Sequence, residues 1–477
     1  MDEQRPTVTG RELHPVRAAL DHPVVDIDGH IVESIPLVVD YMRRVAGDEV
    51  ADRFSASIPS FAARNGKLLA PLANAGKPTP GMFIPPWWTV ASNALDRATA
   101  FLPGLLHERL DEIGLDFSVL YSSVGLACFA HPDDDIRRGS CRGLNTYLAE
   151  LCDGYGDRLT PAAVIPAHNP QEAIDALEHA VLQLGFKAAV VNSCVVRTND
   201  RGQQWTDSLA LDSPHDYDPL WQRFVDLGVA VTVHSPTMGL ALRQSSTRYM
   251  FNHIGNFAAG SDAFAKALVF SGVADRFPAL HVGFLECGVT WAVQLLADLI
   301  GRWHKRGGVN IEHLDPSRID VAEWHELMDR HGGARFADAD LRLSMLAQSD
   351  NPPAELDDFR DAGVATAADI GTMFERFYFG CEADDGCLGW AFASDVNPLG
   401  ATLNAVLGSD IGHWDVPDMR HVLDEAYELV TDGRLTASQF QQFACDNPIR
   451  LHGGMNPRFF DGTPVEAHAR LVLELHP

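Results

Sequence analysis

Acidic residues and a histidine alternate with apolar residues in the stretch Val24-Val25-Asp26-Ile27-Asp28-Gly29-His30. Alternate side chains of a β-strand share a face, so Asp26, Asp28 and His30 are expected to point to the same side. Burying three such groups together is costly unless a partner compensates them, and a metal ion is the usual partner. This stretch alone leaves two interpretations open: a metal site, or a strand end that runs into an Asp28-Gly29 turn.

Four further strand-like stretches also end in a carboxylate or an imidazole, namely at His234, Glu286, Glu382 and Asp410. One such residue after a strand is more often structural, but this number of them favours a common metal site. The predicted ligands are Asp28, His30, Glu33, His234, His253, Glu286 and Asp410. Glu286 and His413 are the predicted catalytic residues. This mixed nitrogen and oxygen set, without thiolate, suits iron, manganese or zinc.

Strand and helix patterns alternate along the chain, which indicates parallel strands joined by helical crossovers. Strands are predicted near residues 24, 116, 160, 187, 229, 281, 377 and 405. Eight such units predict an α/β fold of the (β/α)8 TIM-barrel type, in which the chemistry sits at the carboxyl ends of the strands. No GxGxxG or GxxxxGK[ST] motif follows a strand, which argues against a nucleotide-binding fold.

Two long stretches interrupt this alternation, at about residues 34–115 and 307–375. The first contains the aromatic run Phe83-Ile84-Pro85-Pro86-Trp87-Trp88, and loops of this length are usually functional lids or disordered. We therefore predict two insertions that form a lid over the C-terminal face of the barrel. The whole chain, 1–477, is predicted to be a single domain that ends in a tail at 447–477.

The composition excludes several classes of protein. A formal net charge of -28 argues against nucleic-acid binding, which needs clustered Lys and Arg. No apolar run is long enough for a membrane helix, and the polar N-terminus lacks a secretory signal. Eight scattered cysteines are typical of reduced thiols. We expect a cytoplasmic protein, and the sequence leaves its oligomeric state open, a homodimer included.

Several motifs together resemble the amidohydrolase-related TIM-barrel family. They are Asp28-Gly29-His30, the strand end at His234, the run from Gly272-Val273 to Arg276-Phe277-Pro278, and Gly408-Ser409-Asp410. The resemblance covers residues from about 22 to 455. It implies a TIM barrel with a divalent metal, in a family of decarboxylases and hydrolases that hold one such ion.

Two departures from that pattern point to a particular branch. Asp28 stands where the family usually has His or Glu, and Glu286 stands where its decarboxylases have a proton-donating histidine. With the large insertions, this resembles the TIM-barrel non-haem diiron monooxygenases, a branch represented in platensimycin and platencin biosynthesis. The resemblance implies two Fe(2+) per chain, O2, an electron donor, and hydroxylation of a bulky, diterpenoid-like acyl-CoA. Candidate partners for CoA phosphates are Arg243, Arg248 and the basic residues of 302–306.

The alternative is a mononuclear metal-dependent hydrolase or decarboxylase of the amidohydrolase type. One zinc or manganese ion would then activate a water molecule or polarise a carboxylate. Asp410 or Glu286 would serve as the base.

Overall fold

A barrel of eight parallel strands forms the centre of the computed structural model, which describes residues 13–57, 91–123, 125–234, 237–238, 243, 245–346 and 356–475. The barrel strands are β1 (Val25–Ile31), β2 (Phe117–Ser122), β3 (Leu159–Ile165), β4 (Ala188–Val191), β7 (Val231–Val233), β8 (Val282–Phe284), β9 (Phe377–Cys381) and β10 (Asn404–Leu407). They neighbour one another in that order around the barrel. A two-stranded antiparallel hairpin, which the sequence did not predict, is formed by β5 (Val195–Thr198) and β6 (Gln204–Asp207).

Backbone hydrogen bonds at the mouth join the first strand to the chain after the last one. The Asp410 N–H donates to the Asp28 carbonyl at 3.0 Å, and the His30 N–H donates to the Ile411 carbonyl at 2.9 Å. The parallel order brings the carboxyl ends of all eight strands to the same mouth. The predicted (β/α)8 barrel is confirmed, and every predicted strand overlaps an observed one.

Helices surround the barrel, and they end where the sequence provides capping residues. Pro170–Glu178 begins at Asn169, whose side chain accepts the Glu172 N–H, and a π-helical turn at His179–Gln183 continues it. Gly185, at φ 76°, then ends the element in the left-handed conformation that glycine adopts readily. No helix in the described ranges is both long and apolar enough to cross a membrane.

The α-helices of the described residues are numbered in chain order. They are α1 Pro15–Ala19, α2 Ile35–Ala46, α3 Asp48–Ser57, α4 Ala94–Phe101, α5 Pro103–Ile113, α6 Gly125–Cys128, α7 Asp134–Leu151, α8 Pro170–Glu178, α9 Asp218–Leu227, α10 Tyr249–His253, α11 Asn256–Phe270, α12 Val273–Arg276, α13 Thr290–Arg306, α14 Val321–His331, α15 Ala339–Ser344, α16 Asp358–Asp361, α17 Ala367–Phe374, α18 Val422–Thr431, α19 Ala437–Gln441, α20 Asn447–Gly453 and α21 Glu466–Leu475. A second π-helical turn, Gln442–Asp446, joins α19 to α20.

The segments predicted as insertions and tail are largely helical where the structure describes them. Residues 34–115 contain α2 to α5, and Val38 and Met42 of α2 are fully buried. The aromatic run at 83–88 lies outside the described residues, so the predicted lid stays a prediction. Residues 307–375 contain α14 to α17, and no residue of α14 is buried. The expected tail contains α20, whose Ile449 and Leu451 belong to the core, and α21.

One buried histidine near the end of the chain makes the fold sensitive to acid. His452 is 1 % exposed, stacks on Phe459 at 4.6 Å, and neither ring nitrogen has a hydrogen-bond partner among the described residues. Burial, reinforced by nearby His281 and Lys187, lowers the pKa of His452 from 6.5 to about 3. The unfolded chain therefore binds a proton below pH 6.5 that the folded chain does not, and stability falls as the pH falls from 6.5 towards 3.

We predict that His452→Phe reduces this acid sensitivity, because phenylalanine fills a similar space and takes up no proton. At pH 5 the lowered pKa corresponds to about 2 kcal/mol of lost stability in the parent chain. The measurement is the difference in free energy of unfolding between pH 7 and pH 5, which should shrink in the variant. His421→Gln, at a histidine whose side chain is 62 % exposed, serves as the control. Equal pH dependence in parent and His452→Phe would contradict the prediction.

Candidate metal centre

A bulge in β1 delivers Asp28 and His30 to the barrel mouth. The register with β2 shifts between Asp26, opposite Ser118, and Gly29, opposite Leu120. Gly29 is required at the bulge because a Cβ there would lie 2.6 Å from the Ser118 hydroxyl and 2.7 Å from the Asp26 carboxylate. The irregular strand therefore depends on a glycine between the two candidate ligands.

The carboxylate of Asp26 lies below the mouth and holds this part of the barrel together through hydrogen bonds. It accepts hydrogen bonds from the Ser118 hydroxyl (2.5 Å), the Ser409 N–H (2.9 Å), the Ser409 hydroxyl (2.8 Å) and the Asp28 N–H (3.1 Å). These bonds join β1 to β2 and to the chain that follows β10. Asp26 is thus fully engaged in holding the strands, which leaves Asp28 and His30 to face the mouth.

Four strand ends bring carboxylate and imidazole groups together at that mouth. His30 Nε2 lies 3.1 Å from Asp410 Oδ1 and 3.6 Å from Asp28 Oδ1. His234 Nε2, after β7, lies 3.9 Å from Asp28 Oδ1 and 2.9 Å from Glu286 Oε2, after β8. All five side chains are at most 5 % exposed. Most of the predicted ligand set therefore converges at one point.

The arrangement of these donor atoms suits a bound cation better than it suits hydrogen bonds among the atoms themselves. Among the described residues, Asp28 Oδ1, His30 Nε2, His234 Nε2, Glu286 Oε2 and both Asp410 oxygens are buried without a hydrogen-bond partner. They lie close together but are not aligned as hydrogen bonds, and unsatisfied buried polar atoms are rare. A cavity of about 20 Å³ beside His234, Glu286 and His413 has room for one water-sized group. Among the described residues the donors form two groups that share His30, so the cluster fits a bound divalent metal ion.

Burial and crowding also alter the acid–base properties of this cluster. Burial raises the pKa of Asp28, Glu286 and Asp410 well above the usual carboxyl range, and their negative neighbours reinforce the shift. Burial lowers the pKa of His234 to about 3, so its imidazole is neutral. Neutral imidazole and carboxylate are the forms that bind divalent metals, and a cation would relieve the repulsion among the acids.

Two of the acids stand on strained backbone. Glu286 (φ 48°) and Asp410 (φ 49°) adopt the left-handed conformation that non-glycine residues avoid. Such conformations persist only where the surrounding structure holds them, and they are concentrated at functional sites. Gly408 completes this arrangement, because a Cβ there would lie 2.8 Å from the Cβ of Asp28.

His413 lies against the metal-binding side chains and is fixed from both sides. Its Nδ1 is 2.7 Å from Asp410 Oδ1, its Nε2 is 2.8 Å from the Ser123 hydroxyl, and its ring stacks on His30 at 3.8 Å. Burial lowers its pKa to about 4. When the Ser123 hydroxyl donates to Nε2, the Nδ1 carries the proton and faces Asp410 Oδ1, although the two atoms are not aligned as a hydrogen bond. His413 is placed to orient Asp410.

A wider cavity of about 470 Å³ leads to this cluster, and acidic side chains line it. His253, Glu286 and Asp415 form a second group whose ligand atoms lie within 4.8 Å of one another. Burial and neighbouring acids raise the pKa of Asp415 and of Glu382 to about 8. Trp414 and Phe257 form apolar parts of the cavity wall, so the cavity can hold a ligand with a small ring next to the candidate ligands.

Not every predicted site residue reaches this cluster. Glu33 is buried, but it lies beside Cys128, Tyr147 and Cys152, whose pKa values it raises, and it is absent from the donor groups among the described residues. Glu33 lies in the short link between the end of β1 at Ile31 and the start of α2 at Ile35, outside the donor groups of the described residues.

Sequence reasoning missed Ser123 and Asp415. Ser123 directly follows β2, so the strand-end criterion could have found it. Asp415 lies five residues beyond Asp410 in a loop whose path no periodicity predicts.

An eight-stranded barrel with converging carboxylates and imidazoles at its C-terminal mouth is the architecture of a metal-dependent TIM-barrel enzyme. The amidohydrolase family model matches residues 114–369, more than half of the chain, so this chain belongs to the amidohydrolase family.

Two solved structures share the fold. An amidohydrolase from Mycobacterium avium subsp. paratuberculosis K-10 has a TM-score of 0.52 at 16% identity, covering 91% of this chain and 100% of the other. A 2,6-dihydroxybenzoate decarboxylase has a TM-score of 0.50 at 17% identity, covering 90% and 99%.

Curated relatives are decarboxylases. The chain is 28% identical over 176 residues to gamma-resorcylate decarboxylase of Rhodococcus jostii (strain RHA1), covering 36% of this chain and 52% of the relative. It is 29% identical over 178 residues to the enzyme of the same name from Rhizobium sp. (strain MTP-10005), covering 36% and 51%. The chain thus spans about half the length of the curated relatives it matches.

These comparisons correct the functional prediction from sequence. The diiron monooxygenase, with its acyl-CoA substrate, O2 and electron donor, is wrong, because the relatives are decarboxylases and none of those named is an oxygenase. The assignment to antibiotic and diterpenoid biosynthesis falls with it. Two Fe(2+) per chain likewise have no support. The alternative of a metal-dependent amidohydrolase-type enzyme agrees with the family match.

We predict that the purified chain binds a divalent metal at this cluster and loses one equivalent on His234→Ala. Removing the metal with a chelator should lower the thermal midpoint, and restoring Mn²⁺ or Zn²⁺ should raise it. An ion at 100 times its Kd adds about 2.7 kcal/mol of stability. His304→Ala, at an exposed histidine of α13, is the control and should bind metal normally. A chain whose metal content is unchanged by His234→Ala would refute the assignment.

Proposed function

We propose that the protein is a metal-dependent decarboxylase that removes CO2 from a small aromatic acid without oxidation. The observation that carries the proposal is the buried group of unpartnered donor atoms from Asp28, His30, His234 and Asp410, with Glu286 beside it. The decarboxylase relatives support the reaction class. The amidohydrolase family match supports the metal-dependent chemistry.

In this proposal Asp28, His30, His234 and Asp410 would hold one divalent metal. When bound, the ion would supply positive charge next to the acidic groups of the substrate. The hydrogen bonds of Asp26 keep the strand that carries Asp28 and His30 in place. His413, bonded to Ser123 and facing Asp410, keeps the Asp410 carboxylate oriented.

Glu286 is the proposed proton donor. Decarboxylation breaks the bond between the ring carbon and the carboxylate, CO2 leaves, and the same ring carbon receives one proton. Burial, together with Asp410, Glu382 and Asp28, raises the pKa of Glu286, which favours the protonated carboxyl group that a proton donor needs. Solvent in the adjoining cavity, which Glu286 also lines, then restores that proton.

The cavity in front of Glu286 limits the size of the substrate. Its volume of about 470 Å³ lies within the range of small-molecule sites and suits a single substituted ring. Phe257 packs edge-on against His234 at 4.6 Å and Trp414 lies opposite His253, so apolar surface adjoins the reacting groups. This combination supports a substrate that contains an aromatic ring, and the decarboxylase relatives support a carboxylic acid.

We predict CO2 release from 2,6-dihydroxybenzoate or another acid of a hydroxybenzoate panel under anaerobic conditions. Activity should disappear after chelation and return with Mn²⁺ or Zn²⁺, because the ion holds the substrate. The measurement is CO2 and the decarboxylated phenol under nitrogen, with metal-free protein as the control. Turnover that requires O2, or an absence of CO2 across the whole panel with metal-loaded protein, would contradict the proposal.

Metal-dependent hydrolysis is the second candidate. The observation in its favour is that the group beside His234 is a carboxylate, which suits a general base for an activated water molecule. Esters and amides of the same hydroxybenzoates provide the assay. Release of the acid without CO2 favours hydrolysis over decarboxylation.

We predict that Glu286→Gln lowers kcat for decarboxylation by at least 100-fold while the metal content stays normal, because glutamine cannot donate the proton. The measurement pairs steady-state kinetics with metal analysis of the same preparation. Glu428→Gln, at an exposed glutamate of α18, should leave kcat unchanged. Loss of metal in Glu286→Gln would instead make Glu286 a ligand and overturn its role as the acid.

A further inference from the structure

A separate group of side chains of metal-binding types lies at the other end of the barrel from the groups at the mouth. Ligand atoms of Cys445, Asp446 and His468 all lie within 4.8 Å of one another. Asp116, the residue just before β2, influences the pKa of Cys445, which places the group at the amino ends of the strands, opposite the mouth. The group is therefore separate from the candidate metal centre and is independent of the proposed function.

The local backbone explains how the three donors meet. Cys445 and Asp446 end the π-helical turn Gln442–Asp446, and His468 comes from the last helix, α21. A π-helical turn inserts one residue into a helix and changes the direction of its side chains, and such turns are frequent at functional sites. Here the turn brings adjacent residues of the chain to the same point, facing a helix that begins twenty residues later.

The spacing is close to that of ligands on one ion. His468 Nε2 lies 3.0 Å from Asp446 Oδ1, and Gln441 holds the carboxylate with a bond of 3.2 Å to Oδ2. Two tetrahedral ligands at usual zinc distances lie roughly 3.3 Å apart, so only small movements are needed. The second-sphere bond from Gln441 keeps the carboxylate oriented, as is usual for ligating carboxylates.

The charges also suit a divalent cation. Cys445 is fully buried, and its Sγ lies within 4.8 Å of the ligand atoms of Asp446 and His468. A thiolate and a carboxylate together carry two negative charges, which one divalent ion balances. A second imidazole, His22, is near enough that Asp446 and His468 influence its pKa. Its Nδ1 is bonded to the Pro23 carbonyl at 2.9 Å, which leaves Nε2 with the lone pair that a ligand needs.

We propose that Cys445, Asp446 and His468 bind one zinc-class divalent ion. Sulfur, nitrogen and oxygen donors in one set match zinc and cobalt(II), and the fourth position is open to water or to His22. Binding replaces the thiol proton, which is released to solvent, by a metal–sulfur bond. The ion ties α21 to the turn between α19 and α20, so it stabilises the C-terminal helix on the floor of the barrel.

Cobalt(II) tests this site selectively, because the candidate ligands at the barrel mouth include no cysteine. Co²⁺ is added to the metal-free full-length chain, and absorption in the near ultraviolet reports a thiolate–cobalt bond. We expect this band to saturate at one equivalent and to disappear when Zn²⁺ displaces the cobalt. Cys445→Ser should abolish the band, and His468→Gln should weaken Co²⁺ binding at least tenfold. His234→Ala should leave the band intact, which separates this site from the one at the mouth.

Two matched controls keep the outcome specific to Cys445. Cys387→Ser, at an exposed cysteine, and Cys287→Ser, beside Glu286, should both retain the band. A band that is absent in the parent chain, or that persists in Cys445→Ser, overturns the proposal. His468→Gln replaces a partly exposed residue and provides a second test if Cys445→Ser fails to fold. Unchanged Co²⁺ affinity in that variant likewise overturns the proposal.

Discussion

The carboxylate of Asp26 is the interaction on which the mouth of the barrel depends. It is completely buried and accepts four hydrogen bonds, from residues of β1, β2 and the chain after β10. A carboxylate without those bonds would be very costly at that depth, so the strands and the acid stabilise one another. The positions of Asp28, His30 and Asp410 all follow from this one carboxylate. Asp28 lies two residues after Asp26, and His30 is at the next inward-facing position of β1. Asp410 directly follows Ser409.

Above Asp26 the situation of the carboxylates is the opposite, because some of their oxygen atoms lack hydrogen-bond donors among the described residues. The Asp26 carboxylate accepts four hydrogen bonds, whereas Asp28, Glu286 and Asp410 have oxygen atoms that nothing in the described chain satisfies. Burial raises the pKa of each of these acids, and the negative charge of neighbouring carboxylates adds to the shift. A fold that keeps these acids together, two of them on left-handed backbone, is arranged for a positively charged occupant rather than for its own stability.

Much of this could be predicted from the sequence, since it follows from strand periodicity. The alternation in Val24 to His30 predicts β1 and the direction of its side chains, and the eight strands predict the barrel. Once the barrel is assumed, the residues at the strand ends must converge, and His234, Glu286 and Asp410 do. Glu33 lies outside the donor groups of the described residues, in the link between β1 and α2, and Asp415 was missed because loop paths depend on tertiary packing.

The error in function had a different origin. Glu286 in place of a histidine was interpreted as evidence for a second metal, yet the same carboxylate, with a raised pKa, can supply the proton itself. A substitution at one strand end changes which group performs a step, and it does not by itself change the class of reaction. The sequence identifies the side chain at this position, but it does not reveal the burial and the neighbouring charges that determine its protonation.

The order of the strands has a consequence for synthesis of the chain. The donors at the mouth come from β1, from the ends of β7 and β8, and from the residues after β10, so the first and the last lie 382 positions apart in Asp28 and Asp410. The nascent chain presents Asp28 and His30 first, His234 and Glu286 later and Asp410 last, so the donor set is complete only when residue 410 has left the exit tunnel of the ribosome. A divalent ion that needs the whole set would therefore bind only a nearly finished molecule, late in folding.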